Sequence, residues 1–540
     1  MSSKQLSLFD TDILMKDAAV RLSVSEATVR NWVHEGILHA TGNALPLREV
    51  EAFMNEGFKK KLRSRANKTQ KDSHDQDKLS ELVHHGVKNS MLSGEELAAQ
   101  YESSLSESYR NKEGVFYTPS EIVFHMLKSV EDVECKTFLD PCCGSGNFLV
   151  AALEKGFRPE NLYAFDTDAN AVQITRKRIL EKSGVEPEHI VCGDFLAWAE
   201  NHVCKFDYIF TNPPWGKKIQ KQEKTKLAKA FFAGNSSDTC ALFFFASLSL
   251  LNKNGVLGLL LPEAFFNIGV FEDARTTLLK HKIIRLIDYG KPFRGLMTKA
   301  KAFLMENSEN SCSSVSCESF GKSFSYRTQN AFQSMPKHII NFDLSEEEFD
   351  VIKRVYSVPH ITLKGRASWA LGIVTGNNEK HCKTERGLGD VPIYRGKDIF
   401  PDHVVNAGIF IDRNLKDCQQ VAPLAFYQAP EKVIYRFINN RIVCYHDKEQ
   451  RYVLNSANLF ILDDDFPLAY QQLVDLLNSD FMNWLFRSIF STHKILRGDL
   501  EELPIWTAYF KEYQCFDERA LLSYLNIEKN NGTYRIKKTN

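Results

Sequence analysis

The sequence predicts an α/β protein: a mostly parallel sheet with helices on both faces, preceded by a small helical module and followed by an α+β region. Three observations predict it. From about residue 96 to 305 short apolar runs alternate with helical patterns, as strands joined by crossover helices do. The run Thr137-Phe138-Leu139 enters a glycine-rich turn, Asp140-Pro141-Cys142-Cys143-Gly144-Ser145-Gly146. A later run, Tyr208-Ile209-Phe210, enters Thr211-Asn212-Pro213-Pro214-Trp215-Gly216. Residues at the C-terminal tips of such strands face the crevice where open α/β sheets bind ligands.

A chain of 540 residues has room for two to four domains, each with its own core. No uninterrupted apolar run reaches the ~20 residues of a membrane span, and the first residues, Met-Ser-Ser-Lys-Gln-Leu-Ser, lack the apolar stretch of a secretory signal. A cytoplasmic protein is expected. The 12 cysteines are scattered apart from Cys142-Cys143 and show no paired zinc spacing, so free thiols and no metal site are expected. The formal net charge is zero, which argues against a purely electrostatic nucleic-acid binder. Its distribution says more. Lys59, Lys60, Lys61, Arg63, Arg65, Lys68 and Lys71 form one basic block. Lys217, Lys218, Lys221, Lys224, Lys226 and Lys229 form another, directly after the Asn-Pro-Pro-Trp turn. The second block reads either as a solvated helix face or as a set of phosphate contacts.

Taken in order, residues 15–38 read as a helix, a tight turn at Ser23-Val24-Ser25, and a second helix from Glu26 to Glu35 with Gly36 as its stop. Val24, Val29 and Trp32 share one face, against which Ala18, Ala19 and Leu22 would pack. Residues 59–95 are polar and poor in large apolar residues, as a linker is. Within the alternating region, helix 147–155 follows the glycine turn. The next strand, Leu162-Tyr163-Ala164-Phe165, ends at Asp166, whose carboxylate can accept from two ribose hydroxyls. A third strand, Ile190-Val191, leads to Gly193-Asp194-Phe195-Leu196. Beyond residue 340 the alternation stops.

The Asn-Pro-Pro-Trp turn carries its own chemistry. Two prolines stiffen the backbone and remove two amide donors, leaving Asn212 on a rigid platform with free carbonyls beside it. An amide oxygen and a backbone carbonyl, both acceptors, with an aromatic face two residues on, suit a flat base bearing an exocyclic amino group.

With these residues in place the chain resembles the S-adenosylmethionine-dependent DNA amino-methyltransferases, and among them the gamma-ordered TaqI-like N6-adenine group. Gly114-Val115-Phe116-Tyr117-Thr118-Pro119 matches the segment that precedes the glycine motif and closes over the methionine part of the cofactor. Asp140 to Leu149, with Gly144 and Gly146, resembles the cofactor loop. Asp166 stands at the ribose carboxylate, where many relatives carry Glu, and Asp194 and Phe195 at the contacts to the cofactor's adenine. Asn212, Pro213, Pro214 and Trp215 resemble the catalytic turn. Helix Thr239 to Leu251, strand Gly255 to Leu261 and Pro262 look like the next family elements, and Phe293 is the candidate for the aromatic that covers the flipped base's other face. The segments Leu371 to Asn378, Ile393 to Ile399, Pro430 to Arg436, Leu473 to Phe486 and Lys494 to Pro504 resemble the group's C-terminal specificity region. Residues 15–38 resemble a MerR-like helix-turn-helix, which offers its second helix to the major groove.

The resemblance implies a Rossmann-like methyltransferase sheet, an N-terminal helix-turn-helix and a C-terminal α+β specificity domain. The expected boundaries are 1–60 for the helix-turn-helix, 61–95 for a polar basic linker, 96–339 for the catalytic domain and 340–540 for DNA target recognition, with Arg395 or Lys397 as base readers. The implied activity is transfer of a methyl group from S-adenosylmethionine to a flipped adenine in double-stranded DNA, within a restriction-modification or phage-defence system that can include a separate restriction endonuclease. Three other readings stay open: a methyltransferase for cytosine amino groups or RNA, one for a protein glutamine amide, and a DNA-binding regulator on a degenerate methyltransferase fold.

Overall fold

The computed structural model describes residues 12–22, positions 29, 33, 38–40, 42, 44–47 and 49–51, and residues 80–537 with gaps at 82, 85, 88–91, 106–108, 111–112, 218, 294–295, 297, 310–313 and 491–493. Strands β1 (Asp12–Leu14) and β2 (Ala44–Pro46) pair antiparallel around helix Met15–Arg21. Met15, Ala18, Ala19, Val29, Leu38, Leu45 and Val50 close a small core of their own. The expected second helix, 26–35, lies outside the described residues except at Val29 and Val33. Most of the linker, 61–95, lies outside them too.

The centre of the molecule is a nine-stranded sheet: β3 (Phe138–Asp140), β4 (Leu162–Asp166), β5 (Ile190–Cys192), β6 (Phe206–Thr211), β7 (Leu251–Pro262), β8 (His281–Gly290), β9 (Ala300–Glu309), β10 (Ser314–Ser319) and β11 (Ser323–Thr328). Its spatial order is β11-β10-β8-β9-β7-β6-β3-β4-β5. Strands β3 to β7 pair only in parallel with one another. The parallel pattern expected up to residue 305 stops there, because β9 runs antiparallel between β7 and β8. The reason is chain length: residues 291–299, which join β8 to β9, are too few for the dozen or more residues of a parallel crossover. From β3 the chain steps to β4 on one side and later returns through β6 on the other. The carboxyl ends of β3 and β6 therefore flank a topological switch point.

Helix Gly94–Ser104 covers the glycine-turn side of this sheet. It starts on a reciprocal cap, Ser93 accepting from the Glu96 N–H and Glu96 from the Ser93 N–H, which satisfies two otherwise unpaired donors. It lies tightly on helix Ala169–Ser183: a Cβ on Gly94 would stand 2.7 Å from Arg178 Cγ. Its Leu97, Ala98 and Tyr101 share a core with Ala171 and Ile174.

Residues 340–540 contain two kinds of packing. A four-stranded sheet, β12 (Ala367–Leu371), β19 (Ala457–Leu462), β16 (Lys432–Arg436) and β17 (Cys444–Asp447), stands beside a second of β13 (Cys382–Lys383), β15 (Phe410–Asp412), β14 (Asp390–Tyr394) and β18 (Tyr452–Val453). Ile373, Ile393, Ile411, Ile434 and Leu459 belong to a core of their own between them. By contrast, helix Glu346–Ser357 and the helices from Tyr470 onward join the core of the central sheet, and Trp506 donates from Nε1 to the Val355 carbonyl at 3.1 Å. The sheet unit is thus seated on a helical base continuous with the central sheet. Among its buried groups Lys432 and Asp447 are both fully buried and 2.7 Å apart, and Arg451 reaches the same carboxylate at 2.7 Å. Arg395 binds Asp398 through Nε at 3.0 Å, so of the two expected base readers only Lys397 is exposed with no partner among the described residues.

Candidate active site

The tips of β5, β4, β3 and β6 carry Asp194, Asp166, the glycine turn and Asn212, and these strands are neighbours in that order. At about 4.8 Å per strand they form a row roughly 14 Å long across the carboxyl edge of the sheet. A cavity of about 350 Å³ runs along it, lined among others by Phe116, Tyr117, Thr118, Gly144, Asp166, Asp194, Phe195, Asn212 and Pro214. That volume is in the range of small-molecule sites. The sequence-predicted residues Asp140, Gly146, Pro213 and Trp215 do not line the cavity; they support its walls.

Two glycines make the turn possible. Gly144 has φ +52° and Gly146 φ +91°; a Cβ on the first would meet the Tyr117 ring at 2.6 Å, and on the second Thr175 Cγ2 at 2.8 Å. The Gly144 N–H donates to Asp166 Oδ2 at 2.8 Å and the Asp168 N–H to Asp166 Oδ1 at 2.9 Å. Each Asp166 oxygen keeps a second lone pair for a ligand hydroxyl. Asp194 caps helix Phe195–Ala199, Oδ1 accepting from Leu196 N–H at 2.8 Å and Ala197 N–H at 3.2 Å. The Phe195 ring, 2% exposed, stacks on Phe243 and packs against Phe165.

The buried carboxylates are electrostatically poised. Asp140 is fully buried; desolvation pushes its pKa up to about 7, against the pull of the neighbouring Thr211 hydroxyl and of the Cys142 N–H, whose bond it accepts at 3.1 Å. Its other oxygen, Oδ2, makes no hydrogen bond with the described residues. Burial also raises Asp166, opposed by the N–H groups of Asp168 and Gly144. Of the two, Asp166 lines the cavity and Asp140 lies behind its wall; a positive charge brought into the cavity would pull both carboxyls back towards their charged form. The Cys142 and Cys143 thiols are likewise pushed up by burial, so neither is poised as a nucleophile.

The catalytic-turn candidate is locked to segment 113–118 by two hydrogen bonds. Asn212 Nδ2 donates to the Phe116 carbonyl at 2.7 Å, and the Trp215 N–H donates to the Gly114 carbonyl at 3.1 Å. Because the amide's donor end is held, its Oδ1 is left facing away from Phe116, buried and without a partner among the described residues. Trp215 is 8% exposed, with Nε1 donating to the Leu260 carbonyl at 3.4 Å. Its ring meets Phe293 edge-on, centroids 5.3 Å apart, and both rings contact Phe116. The structure thus brings the three aromatics singled out in the sequence into one cluster beside Asn212.

Sequence reading passed over some groups that shape the site. Arg178, 4% exposed, donates to the Ser145 carbonyl and Asn147 Oδ1 and pairs with Glu95. Asn147 Nδ2 donates to the Thr118 carbonyl at 2.9 Å. This chain of contacts ties helix Gly94–Ser104, the glycine turn and segment 113–118 together, and only the capping pattern at Ser93 hinted at it. Among the described residues no group of three or more His, Cys, Asp or Glu side chains could hold a metal ion, and no helix is long and apolar enough to cross a membrane.

Residues 93–356 match the N-6 DNA Methylase family, and residues 391–505 the TaqI-like C-terminal specificity domain. The chain is 46% identical over 404 residues to the type II methyltransferase M.VspI of Vibrio sp. (strain 343), covering 73% of this chain and 99% of that protein. It is 28% identical over 221 residues to the type II methyltransferase M.AccI of Acinetobacter calcoaceticus, covering 38% of this chain and 39% of that one. Among solved structures, the type IIL restriction-modification enzyme MmeI in complex with DNA overlaps 75% of this chain and 70% of its own at 11% identity and a TM-score of 0.48. With the near-complete match to M.VspI, the chain belongs to the N-6 DNA methylases of restriction-modification type and is a DNA adenine methyltransferase with a TaqI-like C-terminal specificity domain.

Proposed function

We propose that the protein methylates the exocyclic amino group of an adenine at a specific site in double-stranded DNA, with S-adenosylmethionine held along the row of strand tips and the adenine flipped out onto Asn212. The observation that carries this is the Asn212 amide: its Nδ2 is fixed on the Phe116 carbonyl, and its buried Oδ1 has no partner among the described residues. A buried acceptor left unsatisfied is costly and calls for an N–H donor, which an adenine amino group supplies. Motif order along the chain, cofactor segment before catalytic turn before specificity region, supports the gamma-ordered TaqI-like reading.

The chain's residues fit S-adenosylmethionine. Asp166 would take the ribose hydroxyls, Asp194 Oδ2 the cofactor's adenine amino group, and the first N–H of helix Phe195–Ala199, which has no intrahelical partner, a ring nitrogen. Phe116, Tyr117 and Thr118 would close over the methionine end, near the glycine turn and the poised Asp140. Bound there, the cofactor supplies an electrophilic methyl group on a sulfonium. Asn212 Oδ1 and the Pro213 carbonyl would accept the two amino hydrogens of the target, orient its nitrogen lone pair and stabilise the positive charge that grows on it. No covalent bond to the protein is formed. A base stacked between Trp215 and Phe293 needs two contacts of about 3.5 Å, one on each face, so it must part rings that now meet edge-on at 5.3 Å. Flipping costs a few kcal/mol, offset by this stacking and by phosphate contacts.

The specificity unit, seated on the catalytic core without a polar tether, supports its role as the sequence reader, with a separate endonuclease as the partner of a restriction-modification pair. Sequencing modified bases in cells expressing the protein tests the reading, and N6-methyladenine at one motif is expected. Asn212→Ala should abolish transfer while cofactor affinity, measured by calorimetry, stays within a few-fold. Methylcytosine in place of methyladenine, or a folded Asn212→Ala that still transfers, would sink the proposal.

A further inference from the structure

Helix Lys221–Ala230 forms a wall of the cofactor cavity through Glu223, Lys226 and Leu227, which places it at the carboxyl rim of the sheet just after the catalytic turn. Its ending is unusual. The Phe232 N–H bonds the Lys229 carbonyl and the Ala233 N–H the Ala228 carbonyl, the paired bonds that end a helix on a left-handed residue. That position favours glycine; here it is Phe232, with φ +56°. Ala233 and Ala228 close the turn as buried partners, and Phe231 is 7% exposed. Phe232 itself is 90% exposed. The backbone strain of an L-residue here is therefore not offset by any burial of the ring. The next turn is fixed as well: the Asn235 N–H donates to Asp273 Oδ2 at 2.6 Å, and a Cβ on Gly234 would stand 2.4 Å from the same oxygen. An aromatic ring is thus held out in solvent on a rigid mount. Lys229, one turn before it, is exposed, as is Lys221 at the helix's other end about 16 Å away at 1.5 Å per residue; with Lys224 they have no carboxylate partner among the described residues, whereas Lys226 pairs with Glu200 at 2.8 Å.

We propose that Phe232 is a DNA contact: its ring stacks on a base at a step beside the target, while Lys229 beside it holds a flanking phosphate and Lys224 and Lys221, further along the helix, hold phosphates further along the backbone. An apolar wedge on a cationic rim opens a base step and stabilises the distorted duplex that flipping requires. The inference rests on the DNA-methylating reading above. It goes beyond that reading by assigning a DNA-contacting residue in the catalytic half of the chain, outside the specificity domain.

The test is equilibrium binding by fluorescence anisotropy, at two salt concentrations, of a duplex carrying the mapped site to the full-length protein and to its Phe232→Gly and Phe232→Trp variants. Glycine suits the left-handed turn, so Phe232→Gly should melt at a higher temperature than the parent, which excludes misfolding as the cause of any loss. Its affinity should fall about ten- to a hundred-fold, the worth of one stacked base, with an unchanged salt slope. Phe232→Trp should bind within about three-fold of the parent. Unchanged binding by Phe232→Gly overturns the proposal. So does a change of oligomeric state with DNA affinity retained, which would make Phe232 a protein contact. Failure of the parent protein to bind DNA at all would instead strike the underlying reading.

Discussion

Substituting Gly114 by alanine is the sharpest test of how the site is built. Gly114 has φ +70°, and a Cβ there would stand 2.4 Å from the Trp215 carbonyl oxygen, 2.8 Å from its nitrogen and 2.9 Å from its carbonyl carbon. All three are backbone atoms, so no rotamer change can relieve the contact. Reaching an ordinary separation of 3.4 Å requires segment 113–118 and the Asn-Pro-Pro-Trp turn to part by about 1 Å, as the gap from 2.4 Å shows. That displacement strains the two bonds joining the segments, Trp215 N–H to Gly114 and Asn212 Nδ2 to Phe116. An ångström of misplacement of a positioning group costs on the order of a hundred-fold in rate, and the left-handed alanine adds about 1–2 kcal/mol of destabilisation. The assay is single-turnover transfer of labelled methyl from S-adenosylmethionine to DNA, with urea unfolding as the stability measurement. A roughly hundred-fold slower transfer in a protein that remains folded is expected. Transfer within three-fold of the parent rate would refute the idea that the close approach of these segments sets the catalytic geometry.

Three further outcomes follow from the same structure. Asp166→Ala should weaken cofactor binding by about 1.5–3 kcal/mol through lost charge-assisted bonds, and Asp194→Ala should do likewise while costing about 1 kcal/mol of stability as a lost helix cap; calorimetry and thermal melting separate the two effects. Asp140→Asn tests the buried carboxyl. The folded pKa of about 7 lies above the ordinary aspartate value of 3.8, so the stability it contributes is complete below about pH 4 and is lost as pH rises towards 7. The asparagine variant should therefore gain on the parent by up to about 4 kcal/mol between pH 4 and 8, three pH units at ~1.36 kcal/mol each; parallel urea-stability profiles for the two proteins would exclude it. Deleting residues 1–60 should leave the methylated motif unchanged, with at most a salt-dependent loss of affinity, because a polar linker of the composition read at residues 61–95 does not by itself hold a recognition helix in register with the flipped base. Sequencing of modified bases after expression of the truncated protein decides it.

The sequence by itself determined the four strand tips and the residues that stand at them: the glycine turn after Leu139, Asp166, Asp194 and the Asn-Pro-Pro-Trp turn. These are local signals, since a short apolar run followed by a turn residue specifies both a strand and its end. The strand boundaries read from residues 137–139, 162–165 and 190–191 stand within about a residue of those observed. Tertiary structure decided what is non-local. The order β5-β4-β3-β6, which turns four separate motifs into one row, is a matter of strand pairing between distant segments, and so is the antiparallel insertion of β9. The orientation of Asn212 depends on a carbonyl 96 residues earlier in the chain. Arg395 looked as available to DNA as Lys397 until Asp398 was found holding it. The exposure of Phe232 could not be read from its neighbours either: a phenylalanine in an apolar Ala-Phe-Phe-Ala run looks like core. Only the backbone turn that ends the lysine-rich helix, closed by two hydrogen bonds and braced on Asp273, points one of those rings inward and the other into solvent.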